Sequence, residues 1–155
     1  MPTVPGPTAD ERFRILDLLG RYIFAVDTGD IEAVLACFAP QAWVRYEGGA
    51  VYSGCEELRR FAEKVAGPDT AGRMHLNFPL FFALEGPVVV VHSYLSIAQW
   101  CPPAPPTSFE TLRYVRDHCV RCDDGAWRIL GRHIANWNRD TRAAFRPGAG
   151  TCPSA

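Results

Sequence analysis

The chain has 155 residues, is 48% hydrophobic and carries a formal net charge of −1. That is apolar material for one domain-sized core with little left for a second. The near-neutral balance, with arginines scattered and no basic block, argues against nucleic acid or anionic lipid as a partner. No apolar run approaches the roughly 20 residues that span a bilayer. The proline-rich start, Met1 to Pro7, lacks the basic-then-apolar order of a signal peptide, so a cytoplasmic protein is expected.

Residues 1–8 read as a flexible N-terminal tail. Phe13, Leu16, Gly20, Ile23 and Phe24 recur at spacings of three and four, which predicts a first helix from about Ala9 to Asp27. Asp27 continues that stripe. A carboxylate on a buried stripe is costly unless paired, so Asp27 needs a partner. Thr28-Gly29-Asp30 breaks the helix, with Asp30 as N-cap of the next. Ile31, Val34, Leu35 and Phe38 form the apolar face of helix two, which ends at Pro40. A strand over Ala42 to Tyr46, a turn at Gly48-Gly49 and a short strand at Val51-Tyr52 follow. Ser53 and Glu56 fit a capping box for helix three, whose apolar face is Leu58, Phe61, Ala62 and Val65.

The period then changes. Arg73 to Leu84 and Pro87 to Trp100 read as long strands joined at Glu85-Gly86. Ser108 to Cys122 and Ala126 to Asn138 read as two more, joined by a hairpin turn at Asp123-Asp124-Gly125. Between the pairs lies Cys101-Pro-Pro-Ala-Pro-Pro106, a stiff connection. Helices first and long strands afterwards predict an α+β domain, with N-terminal helices packed on a strongly curved, meandering sheet, antiparallel or mixed. The domain is expected over 9–140, with an irregular tail over 141–155. Six cysteines at 37, 55, 101, 119, 122 and 152 follow no framework and read as free thiols. Cys119 and Cys122 are three apart in a strand and point to opposite faces, so they do not form a metal site.

His75, His92, His118 and His133 all fall in strands. His75 and His92 lie among apolar residues and, like Asp27, need buried partners. A hairpin at Glu85-Gly86 does not set these two histidines directly opposite one another. The three polar residues therefore leave two explanations, a satisfied core network or a site. A two-histidine, one-carboxylate metal set is conceivable, but no HxH or HxxxH spacing preorganises it, and no metal is expected. His118 and His133 sit among arginines and read as a solvated or interface face. Tyr22, Tyr46 and Tyr52 are placed near the pocket mouth, where a phenol can donate to a substrate carbonyl. Phe24, Asn77, Tyr94 and Trp137 complete the candidate binding set.

Gly20-Arg-Tyr-Ile-Phe-Ala-Val-Asp-Thr-Gly-Asp30, the helix to Phe38-Ala-Pro40, and Gly125-Ala-Trp-Arg-Ile-Leu130 resemble SnoaL-like proteins of the NTF2-like superfamily. The resemblance covers about residues 9 to 139 and implies that superfamily's cone. Within it the chain is most similar to scytalone dehydratase. Asp27, Tyr46, His75 and His92 match that family's Asp, strand Tyr and two His, while Val26 stands where it has a first Tyr. The resemblance implies a cofactor-independent dehydratase in secondary metabolism or in aromatic, steroid or polyketide catabolism. His75 would be the base, Asp27 its orienting partner, His92 the group positioning water, and Tyr46 the carbonyl donor. It also implies a homo-oligomer, a trimer before a dimer, and a C-terminal tail that closes the pocket. An isomerase or cyclase with the same pocket, or a non-catalytic binding or assembly subunit, is the alternative.

Overall fold

The computed structural model describes residues 6–99 and 109–144. Helix α1 spans Ala9–Thr28. Thr8 opens it through a capping box with Glu11, and Gly29 closes it in the left-handed region at φ 76°. The buried face is Ile15, Leu18, Leu19, Tyr22, Ala25 and Val26, not the stripe through Phe13 and Phe24, whose rings are 72% and 70% exposed. Both stripes have helical spacing. The one that packs is apolar throughout, whereas the expected one is interrupted by Gly20 and ends in a carboxylate. Ile23 and Asp27 flank the packed stripe and are half-buried, so Asp27 still reaches the sheet.

Helix α2 is short, Ile31–Ala36, because the chain turns to strand β1 (Phe38–Tyr46) before Pro40 rather than after it. Strand β2 is Val51–Ser53 and helix α3 Cys55–Ala66. The expected Ser53–Glu56 capping box does not form. Gly54 is the N-cap, at φ 80°, and the Ser53 amide donates to Glu57 at 2.9 Å. A single 3-10 turn, Pro68–Thr70, precedes β3 (Arg73–Glu85). Strands β4 (Val88–Gln99), β5 (Phe109–Arg121) and β6 (Trp127–Asn136) and helix α4 (Arg139–Ala144) complete the described chain. Residues 145–155, the larger part of the expected lid, lie outside the described residues, as do Trp100 and the 101–106 connection.

The strands form one mixed, open sheet in the order β2-β1-β6-β5-β4-β3. All neighbours are antiparallel except β1 and β6, which run parallel. Register shifts fall in β1, β3 and β5 and between Ile97 and Ala98. Such bulges increase local twist and bend long strands. The helices cover the inner face of the resulting α+β cone, where Ile15, Leu19, Phe61, Val44, Val91 and Val115 are essentially closed to solvent. Among the described residues, no helix is long and apolar enough to cross a membrane.

One bulge decides which side chains meet. At the turn, Glu85 pairs with Val88 and Phe81 with His92. Past Leu80, Pro79 pairs with Ser93 and His75 with Ile97. Leu80 is the extra residue. Pro79 beside it has no N–H to place in a ladder, and β3 is an edge strand, so both fit a bulge.

Candidate active site

The inner faces of α1, β1, α3 and β3–β6 enclose a cavity of about 170 Å³. A cavity of about 150 Å³ lined by apolar residues holds one benzene ring, so this space suits a single substituted ring. Its apolar wall includes Ile23, Val26, Phe61, Leu95 and Ile97, and its polar groups are Tyr22, Tyr46, His75 and a set of cations.

Asp27, at the end of α1, meets His75, at the start of β3. Both Asp27 oxygens lie 3.1 Å from the His75 backbone N–H, and Oδ1 lies 2.6 Å from His75 Nδ1. An ionised carboxylate only accepts, so Nδ1 carries the proton and donates. Nε2 is then left as the imidazole's acceptor. Both side chains are largely buried, at 12% and 19% exposure, so the pair is shielded from competing water. The partner that Asp27 requires is therefore His75, held by backbone and ring together.

His92 does not join them. It alternates with Val91 and Ser93, which face inward, so it lies on the outer face of the sheet. There it stacks on Phe81 at 4.2 Å and its Nδ1 is hydrogen-bonded to the Tyr114 hydroxyl. The Leu80 bulge is the cause. Had the register of Phe81 with His92 continued unbroken, His75 would share the face of His92. One extra residue moves it to the other. Burial, with the positive charges of Arg116 and His118, lowers the His92 pKa to about 4, and the ring is neutral at physiological pH.

Other expected residues separate in the same way. Tyr22 and Tyr46 line the cavity. Burial raises both phenol pKa values, so both are protonated donors. Tyr52 packs beside Tyr46 and Phe61 and accepts from Lys64 Nζ at 3.3 Å, next to the cavity rather than on its wall. Asn77 lines a neighbouring groove with Leu19 and Pro79, and His75 borders both spaces. Phe24 faces solvent on α1. Tyr94 and Trp137 lie 5.4 Å apart in the aromatic cluster of the outer face, about 40% exposed. Strand parity for Tyr94, and the rotated helix stripe for Phe24, put them outside. His118 and His133 are also on the outer face, near Arg116, but neither is solvated: His118 is half-buried, and His133 is buried between Arg116 and Glu47.

The cations were not legible as a group. Arg132 lines the cavity and is only 1% exposed. Its Nη1 donates to Asp117 at 2.7 Å, and its guanidinium lies 4.6 Å from the Tyr22 ring centre. Arg113 and Lys64 approach the Tyr46 ring, at 5.6 and 5.3 Å. Arg73 also lines the space and donates to Gln99 at 3.2 Å. The sequence signal was parity: Arg113 and Arg132 alternate with outward residues on strands whose inner face is apolar.

A helical layer on an open, curved six-stranded sheet, with a polar pair facing the space between them, is the NTF2-like cone. Solved structures share it. An NTF2-like protein with a cystatin-like fold from Novosphingobium aromaticivorans is 19% identical, with 88% of this chain and 90% of that chain covered and a TM-score of 0.75. Aln2 from a Streptomyces species is 23% identical over 90% and 99% of the two chains, with a TM-score of 0.77. A Catenulispora acidiphila protein in complex with S-DNPA is 20% identical over 88% and 98%, with a TM-score of 0.71. No curated protein matches by sequence. Residues 7–133 match the SnoaL-like domain, and the chain belongs to that family.

Proposed function

We propose that this SnoaL-like protein is an acid–base enzyme working without a cofactor, a dehydratase acting on a cyclic, carbonyl-bearing small molecule. The observation that carries this reading is His75 on the wall of a ring-sized cavity, paired through Nδ1 with Asp27 and with Nε2 unclaimed among the described residues. His75 Nε2 removes a proton α to the carbonyl. The C–H electrons form the enolate, Tyr46 donates a hydrogen bond to its oxygen, and Asp27 stabilises the imidazolium. The imidazolium then returns its proton to the β-hydroxyl as the enolate reforms the carbonyl, so water leaves and a C=C bond remains. Imidazole suits both steps because it titrates near neutral pH.

His92 has no part in this scheme, because it lies across the sheet. Val26, on the cavity wall, supplies no phenol. A single imidazole on the cavity wall among the described residues also favours a second reading, an isomerase or cyclase, in which the proton returns to carbon and no group departs. Incubation with a cyclic β-hydroxyketone in deuterated water, read by mass, separates the two, because dehydration loses water whereas isomerisation only incorporates deuterium. His75→Ala should lower turnover by about 10²- to 10⁴-fold. Full turnover in both His75→Ala and Asp27→Asn would sink the reading.

A further inference from the structure

The rest of the cavity wall reports what the substrate presents. Here it is cationic. Arg113 projects from the inner face of β5, where its strand neighbours are Leu95 and Asn136. Among the described residues its Nε is closed to solvent and has no hydrogen-bond partner, an expensive state for a guanidinium N–H. Lys64 comes from α3, and both cations approach the Tyr46 ring. The Nε of Arg132 is likewise buried without a partner among the described residues, although its Nη1 is paired with Asp117. Among the described residues lining the cavity, there is no carboxylate to balance Arg113 and Lys64. Asp27 is occupied by His75 and Asp117 by Arg132.

Two flexible cations beside one phenol, with buried N–H groups unspent, form a site for an anion. Building on the proposed function, we infer that the substrate of this cavity is a carboxylic acid, a single substituted ring whose carboxylate is held by Arg113 and Lys64. The carboxylate is the specificity handle. It pairs with the guanidinium in a fixed orientation and so turns the ring's acidic C–H toward His75 Nε2. Tyr46, whose ring both cations approach, stands next to the anion subsite and donates to the reacting carbonyl. A neutral ketone of the same shape would fill the apolar part and leave the cations unpaired.

The test compares salicylate with its neutral amide, salicylamide, by calorimetry. The unmodified protein should bind the acid about tenfold more tightly than the amide, with the difference shrinking as salt rises. Arg113→Gln should erase the preference, and Arg113→Lys should keep part of it. Equal affinity for acid and amide, no binding of the acid at millimolar concentration, or an undiminished preference in Arg113→Gln would each overturn the inference. The acid–amide ratio of the unmodified protein needs no variant, so a misfolded Arg113→Gln leaves the test intact. Asp27→Asn tells the two proposals apart. It should lose turnover while keeping the acid preference. An acid preference with turnover untouched by Asp27→Asn and His75→Ala would refute the acid–base reading alone.

Discussion

The tautomer of His75 can be measured without a substrate. A neutral imidazole carries one proton, and the Asp27 oxygen 2.6 Å from Nδ1 fixes it there. A hydrogen bond to a charged partner in a half-buried site contributes about 1.5–3 kcal/mol. That corresponds to about 10- to 100-fold in population, so the Nδ1–H form should dominate in the neutral ring. The same carboxylate holds the His75 amide at 3.1 Å, which limits its freedom to turn away. Nitrogen NMR of ring-labelled protein above the histidine titration should show a protonated Nδ1 and an unprotonated Nε2. Asp27→Asn removes the charge and can offer its own N–H to the ring. The population should then move toward the Nε2–H form, which has no lone pair facing the cavity. A neutral His75 already in the Nε2–H form, or an Asp27→Asn spectrum identical to that of the unmodified protein, would refute the reasoning, whatever the reaction.

The Asp117–Arg132 pair is almost wholly buried. Burial pushes the Asp117 carboxyl upward while Arg132 pulls it down. Asp117→Ala strands the guanidinium and should cost about 3–5 kcal/mol by chemical denaturation, whereas the double variant Asp117→Ala, Arg132→Met should recover most of it. A cost below about 1 kcal/mol for the single change would show that the pair is not mutually required. His92 makes stability depend on pH. Its folded pKa, about 4, lies below the ordinary value of 6.5, so between those values the unfolded chain binds the proton and the folded chain does not. The stabilisation is complete above about pH 6.5 and is lost as pH falls toward 4. Discounted for partial exposure, it is about 1–2 kcal/mol. His92→Gln should flatten the acid limb of the melting profile, and an unchanged limb would count against a neutral His92.

The sequence carried the helix-then-strand order, the boundaries of α1 and of the long strands, and the need of Asp27 for a partner. These rest on local periodicity and on the cost of burying a lone charge. It did not carry the choice between two adjacent stripes on α1, because both have helical spacing and packing selects one. It did not carry the parallel pairing of β1 with β6, which no local signal encodes. The site was half legible. That Asp27 and His75 each need a partner followed from burial, and their pairing with one another came from the family resemblance. His92 was lost to one extra residue, because strand parity beyond a bulge is set by that bulge. Pro79, a proline within a long edge strand, was the only hint of it. The arginines were read as scattered because they are scattered along the chain, and they converge only when β5, β6, α3 and β3 curve around one cavity.

That bulge also constrains the chemistry. A cavity with two imidazoles could take the proton on one side of the ring and donate to the hydroxyl on the other. Among the described residues this cavity presents His75 alone, and its ring is oriented by one hydrogen bond to Asp27, whose carboxylate also accepts from the His75 backbone N–H. The same Nε2 must therefore receive the proton from carbon and deliver it to oxygen. It reaches only one face of the bound ring, and the carboxylate that fixes it cannot swing to the opposite face. In a dehydration, the hydrogen and the hydroxyl accordingly leave from the same side. A substrate with deuterium placed cis to the hydroxyl should lose the label with the water, and its trans isomer should keep it in the product. Retention of the cis label would require a second acid across the ring, and among the described residues the other side chains on the cavity wall with exchangeable protons are Tyr22, Tyr46, Lys64, Thr70 and the arginines. The stereochemistry of a single turnover thus tests whether one extra residue in β3 has reduced the site to one imidazole.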